Sequence, residues 1–145
     1  MTSFKYADKP AEPIELEVGN YTLNVYSGKA PDMAWETPTY GASKEFVITR
    51  LKETSLGRII CKLSSIKISV TYSADIIDML SEDTNVNIAL DQASADFGFT
   101  EERAAYFRAP EATNQMDVTI TGSYKSTEAG ENSSFEMTST LTDVK

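Results

Sequence analysis

Apolar residues recur at every second position through most of this chain, and that period confines it to β structure. In Ile66-Lys67-Ile68-Ser69-Val70-Thr71-Tyr72 one set of alternate positions is apolar and the other polar. Successive residues of a strand point to opposite faces, so such a segment has one face in a core and one in water. The same period runs through Ile14-Glu15-Leu16-Glu17-Val18 and Tyr21-Thr22-Leu23-Asn24-Val25. It returns in Ile59–Leu63, in Val86, Ile88 and Leu90, and in Met116, Val118 and Ile120. Shorter signals surround Phe46 and Ile48, Phe97 and Phe99, Tyr106 and Phe107, and Phe135 and Met137. Gly19-Asn20 reads as a tight turn between two strands, or a bend within one. About eight or nine short strands, with turn residues every ~8–12 positions, predict an antiparallel two-sheet β-sandwich rather than a βαβ fold.

One stretch departs from this period. In Ala74–Leu80 the residues Ile76, Met79 and Leu80 fall at helical spacing, Ser73 precedes as a cap, and Asp75 sits in the first turn. A helix of about two turns does not stand alone, so it is expected to pack on the sheet. The expected core is Leu23, Val25, Phe46, Ile48, Cys61, Leu63, Ile66, Ile68, Val70, Ile88, Leu90, Phe99, Phe107, Val118 and Ile120. A chain of 145 residues makes one domain and buries roughly 68–70% of its unfolded surface. Residues 1–13, with Pro10 and Pro13, read as an extended lead-in, and 14–145 as a single sandwich. Ser126–Ser134 reads as a solvated loop, and Leu141 and Val144 mark the end of a last strand.

Composition excludes several chemistries. There is no histidine and one cysteine. That removes Ser-His-Asp and Cys-His units, imidazole metal ligands, intrachain disulfides and CxxC sites. The balance of 13 basic against 22 acidic residues, a net charge of −9, opposes a nucleic-acid partner, whose phosphates are held by Lys and Arg. No apolar run approaches the ~18 residues of a membrane span. The first residues lack the basic flank and apolar stretch of a signal peptide.

Ser27–Ser43 holds the candidate binding residues. Trp35 with Tyr40 offers flat aromatic faces suited to a sugar ring, and Asp32 and Glu36 could take its hydroxyls. The competing reading turns both aromatics inward as a lid on the sandwich. Carboxylate pairs stand at Asp75/Asp78, Glu82/Asp83 and Glu101/Glu102, and each reads as solvated surface rather than as a catalytic pair across a cleft. Asp91–Asp96 lacks the spacing of a calcium loop, so neither metal nor cofactor is expected. Cys61, on the apolar side of the Ile59–Leu63 strand, reads as a buried small hydrophobe.

The order of motifs resembles a known family. Gly19-Asn20-Tyr21-Thr22 leads a strand, and a loop with Trp35, Pro38, Tyr40 and Gly41 follows. Next come Lys44 and Phe46, then Cys61-Lys62-Leu63 running into Ile66–Ser73. Phe97-Gly98-Phe99, Arg103, Tyr106 and Phe107 complete the series. Over roughly Pro13 to Thr121 this resembles uncharacterised surface lipoprotein domains of gut Bacteroidetes, similar to fimbrillin-type and major-fimbria anchor proteins. The resemblance implies a prealbumin-like or immunoglobulin-like sandwich, exported to the outer cell surface and tethered by a lipid anchor on its precursor. The leader and anchor are not in this chain, which leaves a cytoplasmic location as the alternative. No catalytic residue comes with the resemblance. The expected function is a non-enzymatic structural or adhesive module whose partners are other surface proteins or glycans. Strand exchange would use Ser3–Val18 or Phe135–Val144. The alternative function is a carbohydrate-binding module built on Trp35 and Tyr40.

Overall fold

A computed structural model of the chain describes residues 2–110, 115–125 and 133–144. Among them are ten strands: β1 (Gly19–Tyr26), β2 (Met33–Trp35), β3 (Tyr40–Ile48), β4 (Lys62–Leu63), β5 (Ser65–Ile68), β6 (Asn85–Leu90), β7 (Ala93–Gly98), β8 (Ala105–Arg108), β9 (Gln115–Tyr124) and β10 (Ser133–Thr142). One short α-helix, α1 (Ala74–Ile77), precedes β6, and a 3-10 turn spans Tyr6–Asp8. The all-β sandwich class expected from the alternation holds. The strands form three sheets, ordered β1-β3-β4, β10-β9-β6-β7 and β2-β8-β5. Every pairing with a described register is antiparallel.

The chain divides into two compact units, one of residues up to Val25 with Ala42–Ile60, the other of Tyr26–Gly41 with Cys61 onward. In the first, Tyr21, Leu23 and Val25 alternate half-buried with exposed neighbours. Tyr21 stacks on Phe46, with ring centroids 5.6 Å apart. Lys44 Nζ donates to the Leu56 carbonyl at 2.7 Å.

The second unit holds the main core. Val86, Ile88 and Leu90 of β6, Ala95 and Phe97 of β7, Met116 of β9, and Ala105 and Phe107 of β8 are buried together. Met33, Trp35, Ile66 and Ile68 close it from β2 and β5. It is therefore a two-sheet sandwich, β10-β9-β6-β7 facing β2-β8-β5, with β2 over β7 where Trp35 meets Phe97 edge to face at 5.0 Å. The β6–β7 hairpin closes through Asp91-Gln92, since Leu90 pairs with Ala93. Asp91 takes a positive φ of 52° there, which Asp tolerates better than most residues. Two neighbouring stretches change sheet side by side. The chain leaves β2 for β3 at Thr39 and leaves β4 for β5 at Ser64. The Ser64 N–H donates to the Thr39 carbonyl at 2.8 Å, the Thr39 N–H to Ser65 Oγ at 3.3 Å, and Ser64 Oγ to Thr39 Oγ1 at 3.2 Å.

Several expectations are corrected. Ile14–Val18 is not a strand and Gly19-Asn20 is not a turn, because Gly19 opens β1 and the preceding apolar side chains are exposed. Alternation becomes a strand only where a neighbour supplies ladder hydrogen bonds, and the described chain supplies none there. Cys61 is exposed and outside any strand. Leu63, in the two-residue β4, is exposed as well. The sheet change at Ser64 interrupts what reads as a continuous run, so residues before it are not carried into the core. The helix is one turn rather than two. Ser73 makes no side-chain cap bond, Ile76 and Met79 are exposed, and Leu80 is instead buried in a bridge to Tyr124. Phe99 is half-buried beyond the end of β7. Of the Ser126–Ser134 loop, 126–132 lie outside the described residues, and Ser133 and Ser134 open β10.

Two measurements check this packing. A Cβ on Gly122 would lie 2.7 Å from Thr84 Oγ1 and 2.9 Å from Thr84 Cα, and Thr84 is fully buried. Gly122→Ala is expected to destabilise by about 1–3 kcal/mol through overpacking. Gly98→Ala, with open space at its Cβ, is expected to shift the thermal midpoint far less. Equal losses in the two would contradict the close approach at Gly122. The Cys61 thiol is expected to react with a thiol reagent in the native protein as fast as in denaturant, and protection of the native thiol would restore the buried reading.

Candidate functional site

The four candidate residues lie on or beside β2, and most of their chemistry is directed inward. Residues of β2 alternate across its sheet, which turns Trp35 toward the core and leaves Asp32 beyond the strand's start. Asp32 pairs with Arg108 on β8, Oδ1 to a guanidinium nitrogen at 3.0 Å. Arg108 also donates from its side chain to the Ala30 carbonyl at 2.5 Å, and from its N–H to the Asp32 carbonyl at 2.9 Å. Both partners of this ion pair are substantially exposed, so it fixes register more than it stabilises.

Glu36 follows β2 with a φ of 50°, in the left-handed region that non-glycine residues seldom occupy. Its N–H donates to the Ala104 carbonyl at 2.9 Å, and its carboxylate accepts from the Ala104 N–H. A backbone conformation of this kind costs about 1–3 kcal/mol. Two hydrogen bonds, one to a charged acceptor, are of the size needed to offset it.

Trp35 is half-buried between two partners. One is Phe97, in the edge contact described above. The other is Arg103, whose guanidinium carbon lies 4.7 Å from the centroid of the Trp35 ring. Arg103 is held there by Glu101 through two side-chain bonds, Nε to Oε1 at 2.9 Å and Nη2 to Oε2 at 2.6 Å. The Arg103 N–H adds a third bond to Oε1 at 3.0 Å. These bonds lower the Glu101 pKa from 4.5 to about 2, the side-chain bond from Arg103 being the largest cause, and raise that of Arg103. The face of Trp35 that a sugar ring would need is covered by a cation locked to a carboxylate.

Tyr40 lies in a different sheet, at the start of β3, and is 43% exposed. Its N–H donates to Ser27 Oγ at 3.0 Å, and its carbonyl accepts from the Ser27 N–H at 2.9 Å. The structure thus joins Trp35 and Glu36 to the Glu101–Ala104 segment and joins Asp32 to Arg108. It places Tyr40 apart from them, in the β1-β3-β4 sheet.

The Glu101–Arg103 clamp was legible as a Glu-x-Arg spacing, since residues two apart on extended chain share a face. Pairing Glu101 with Glu102 conceals it. Asp83 is also engaged. Its carboxylate accepts from the Ser123 N–H at 3.2 Å and from Ser123 Oγ at 2.9 Å. Asp96 accepts from the side chains of Asn85 and Asn87, which lower its pKa, Asn87 more than Asn85. Among the described residues no group of three or more Cys, Asp or Glu is placed to hold a metal ion. Two open depressions, about 410 and 420 Å³, line the β9–β10 ribbon, and none of the four candidates contributes to either.

Comparison with known families adds one finding. A family described as a domain of unknown function (DUF4493) matches residues 2–145. The chain belongs to this family. No curated protein and no solved structure matches it. No helix among the described residues is long and apolar enough to cross a membrane.

The clamp over Trp35 has a defined pH window. The folded Glu101 pKa lies below its unfolded value, so the clamp is complete above about pH 4.5 and is lost as pH falls through about 2. Trp35 is the only tryptophan, so its emission reports the clamp directly. Arg103→Ala is expected to red-shift that emission and increase acrylamide quenching at neutral pH. Glu101→Gln is expected to abolish the acid transition between pH 4.5 and 2 while far-UV circular dichroism stays native. An acid transition unchanged in Glu101→Gln would remove Glu101 from this role.

Proposed function

We propose that the chain is a non-enzymatic structural or adhesive module that works through its open strand edges. In this reading it is exported to an outer cell surface and held there by a lipid anchor on its precursor. The Bacteroidetes fimbrillin-like proteins that its sequence resembles are the pattern, and its partners are other surface proteins or glycans.

The observation that carries the reading is β10. It is an edge strand of ten residues, paired with β9 along its whole length and with nothing on its other side among the described strands. Long open edges are normally guarded by Lys, Pro, bulges or short length. Two of the other edges of the sandwich are guarded: β2 has three residues, and β5 has four and carries Lys67. The β10 sequence Ser-Ser-Phe-Glu-Met-Thr-Ser-Thr-Leu-Thr has neither Lys nor Pro. A second observation concerns the lead-in. Ile14, Leu16 and Val18 keep a strand's alternation, lie outside every strand, and are 46%, 37% and 66% exposed. Of the two exchangeable segments this favours Ser3–Val18, since Phe135–Thr142 is already part of β10.

The glycan reading has less support, because Arg103 covers Trp35 and Tyr40 lies in another sheet. The arrangement of carboxylates also favours a non-enzymatic role, with Glu101 bound to Arg103 and Asp83 bound to Ser123.

A dye-labelled peptide of residues 3–18 added to the full chain tests the edge mechanism. Binding is expected as a rise in fluorescence anisotropy, reduced by Thr138→Lys on the open edge. Protease added to intact cells that produce the protein is expected to remove the chain from their surface. Absence of peptide binding would overturn the strand-exchange mechanism, and complete protection on intact cells would overturn the surface location.

A further inference from the structure

Met137 and Leu141 on the inner face of β10 are exposed, and their spacing is self-complementary. Residues directly opposite on antiparallel strands share a face. Phe135, Met137, Ser139 and Leu141 oppose Gly122, Ile120, Val118 and Met116 of β9. The last three of these belong to or pack on the core. Met137 and Leu141 therefore share the core side of the sheet, yet they are 58% and 46% exposed. The facing sheet ends with β5, which pairs with β8 alone, and it leaves the inner side of β10 uncovered.

We propose that this edge pairs with the same edge of a second copy of the chain, antiparallel and with the two-fold axis at Ser139. The proposal rests on the edge-strand reading above and names its partner. In this register each Met137 lies opposite the partner's Leu141 and each Leu141 opposite the partner's Met137, so the most exposed apolar side chains of the strand cover one another. On the outer face Thr138 meets the partner's Thr140, a β-branched pair suited to cross-strand packing. Glu136, the one charged residue of β10, meets the partner's Thr142. The two Glu136 side chains are then about six residues apart along the ribbon, roughly 20 Å at ~3.4 Å per residue. That exceeds the screening length of about 8 Å in physiological salt.

A neighbouring register centred on Thr138 is disfavoured by charge. It would set Glu136 against the partner's Thr140, whose hydroxyl is donated to Asp117 Oδ1 at 2.7 Å, and would gather carboxylates of both copies. A two-fold axis makes such an interface isologous and closed, so the product is a dimer rather than a filament. The result is one eight-stranded sheet across both copies.

Sedimentation equilibrium on the full chain, from about 1 to 300 μM, tests the proposal, with circular dichroism confirming that every variant is folded. A monomer–dimer equilibrium is expected. Thr138→Lys with Thr140→Lys places like charges opposite across the axis and is expected to raise the dissociation constant about tenfold or more. Thr138→Glu with Thr140→Lys places opposite charges there, sets the lysine beside Asp117, and is expected to restore dimerisation. In a Cys61→Ser background, mild oxidation is expected to cross-link Ser139→Cys across the axis and to leave Glu136→Cys without a cross-link. A monomer throughout the range, a dimer indifferent to the lysine pair, or cross-linking through position 136 instead of 139 would each overturn the proposal. Binding of the 3–18 peptide by a protein that stays monomeric would overturn self-pairing while leaving strand addition standing. Loss of both would overturn the edge-strand reading itself.

Discussion

The hydrogen bonds among Thr39, Ser64 and Ser65 are the constraint on which the sandwich depends. At this point two stretches of chain leave one sheet and enter another, and their polar groups would be stranded without each other. Thr39 and Ser65 are both buried there, where an unpaired backbone group costs about 1–3 kcal/mol. Because the clasp fixes both departures, β2 and β5 arrive on opposite sides of β8 in definite registers, Trp35 against Ala105 and Ile68 against Ala105. That placement brings Trp35, Ile66 and Ile68 onto the core of the facing sheet. The position of Trp35 under Arg103, and that of Glu36 against Ala104, follow from it.

Much of the sandwich was legible because burial on one face imposes a period of two. Ile88, Leu90, Phe107, Val118 and Ile120 pack where alternation places them, as do Ile66 and Ile68. The misreadings share a cause. Ile14–Val18 and Ile59–Leu63 alternate as well as any core strand, but alternation shows only that a segment is able to pair. Whether a partner stands beside it depends on the sheet change at Ser64 in the case of Cys61, and on strands elsewhere in the case of the lead-in. Small residues concealed other parts of the core. Ala95 and Ala105 are buried, yet alanine carries too little apolar area to mark a face.

The candidate site was legible in its members and not in its connections. Trp35 with Asp32, Glu36 and Tyr40 reads as a binding loop because these residues crowd one stretch of sequence. In space their partners come from far along the chain: Arg108 for Asp32, Ala104 for Glu36, and Arg103 and Phe97 for Trp35. Long-range partners convert apparent binding groups into fasteners between β2 and the β8 strand with its approach. Trp35, half-buried, packs against the core under a charged cover.

The hairpin of β6 and β7 also bears on how the fold comes together. Its two strands are joined through two residues and form the most local pairing of the core, so their contacts form at little loop-closure cost. Strand β10 occupies the other extreme. It pairs with a single neighbour and exposes most of its side chains. Its backbone hydrogen bonds therefore sit at the low end of the local stability scale, opening while the buried strands stay closed. A partner that pairs with β10 thus does more than find a surface, because it holds shut the part of the sheet that would otherwise open first.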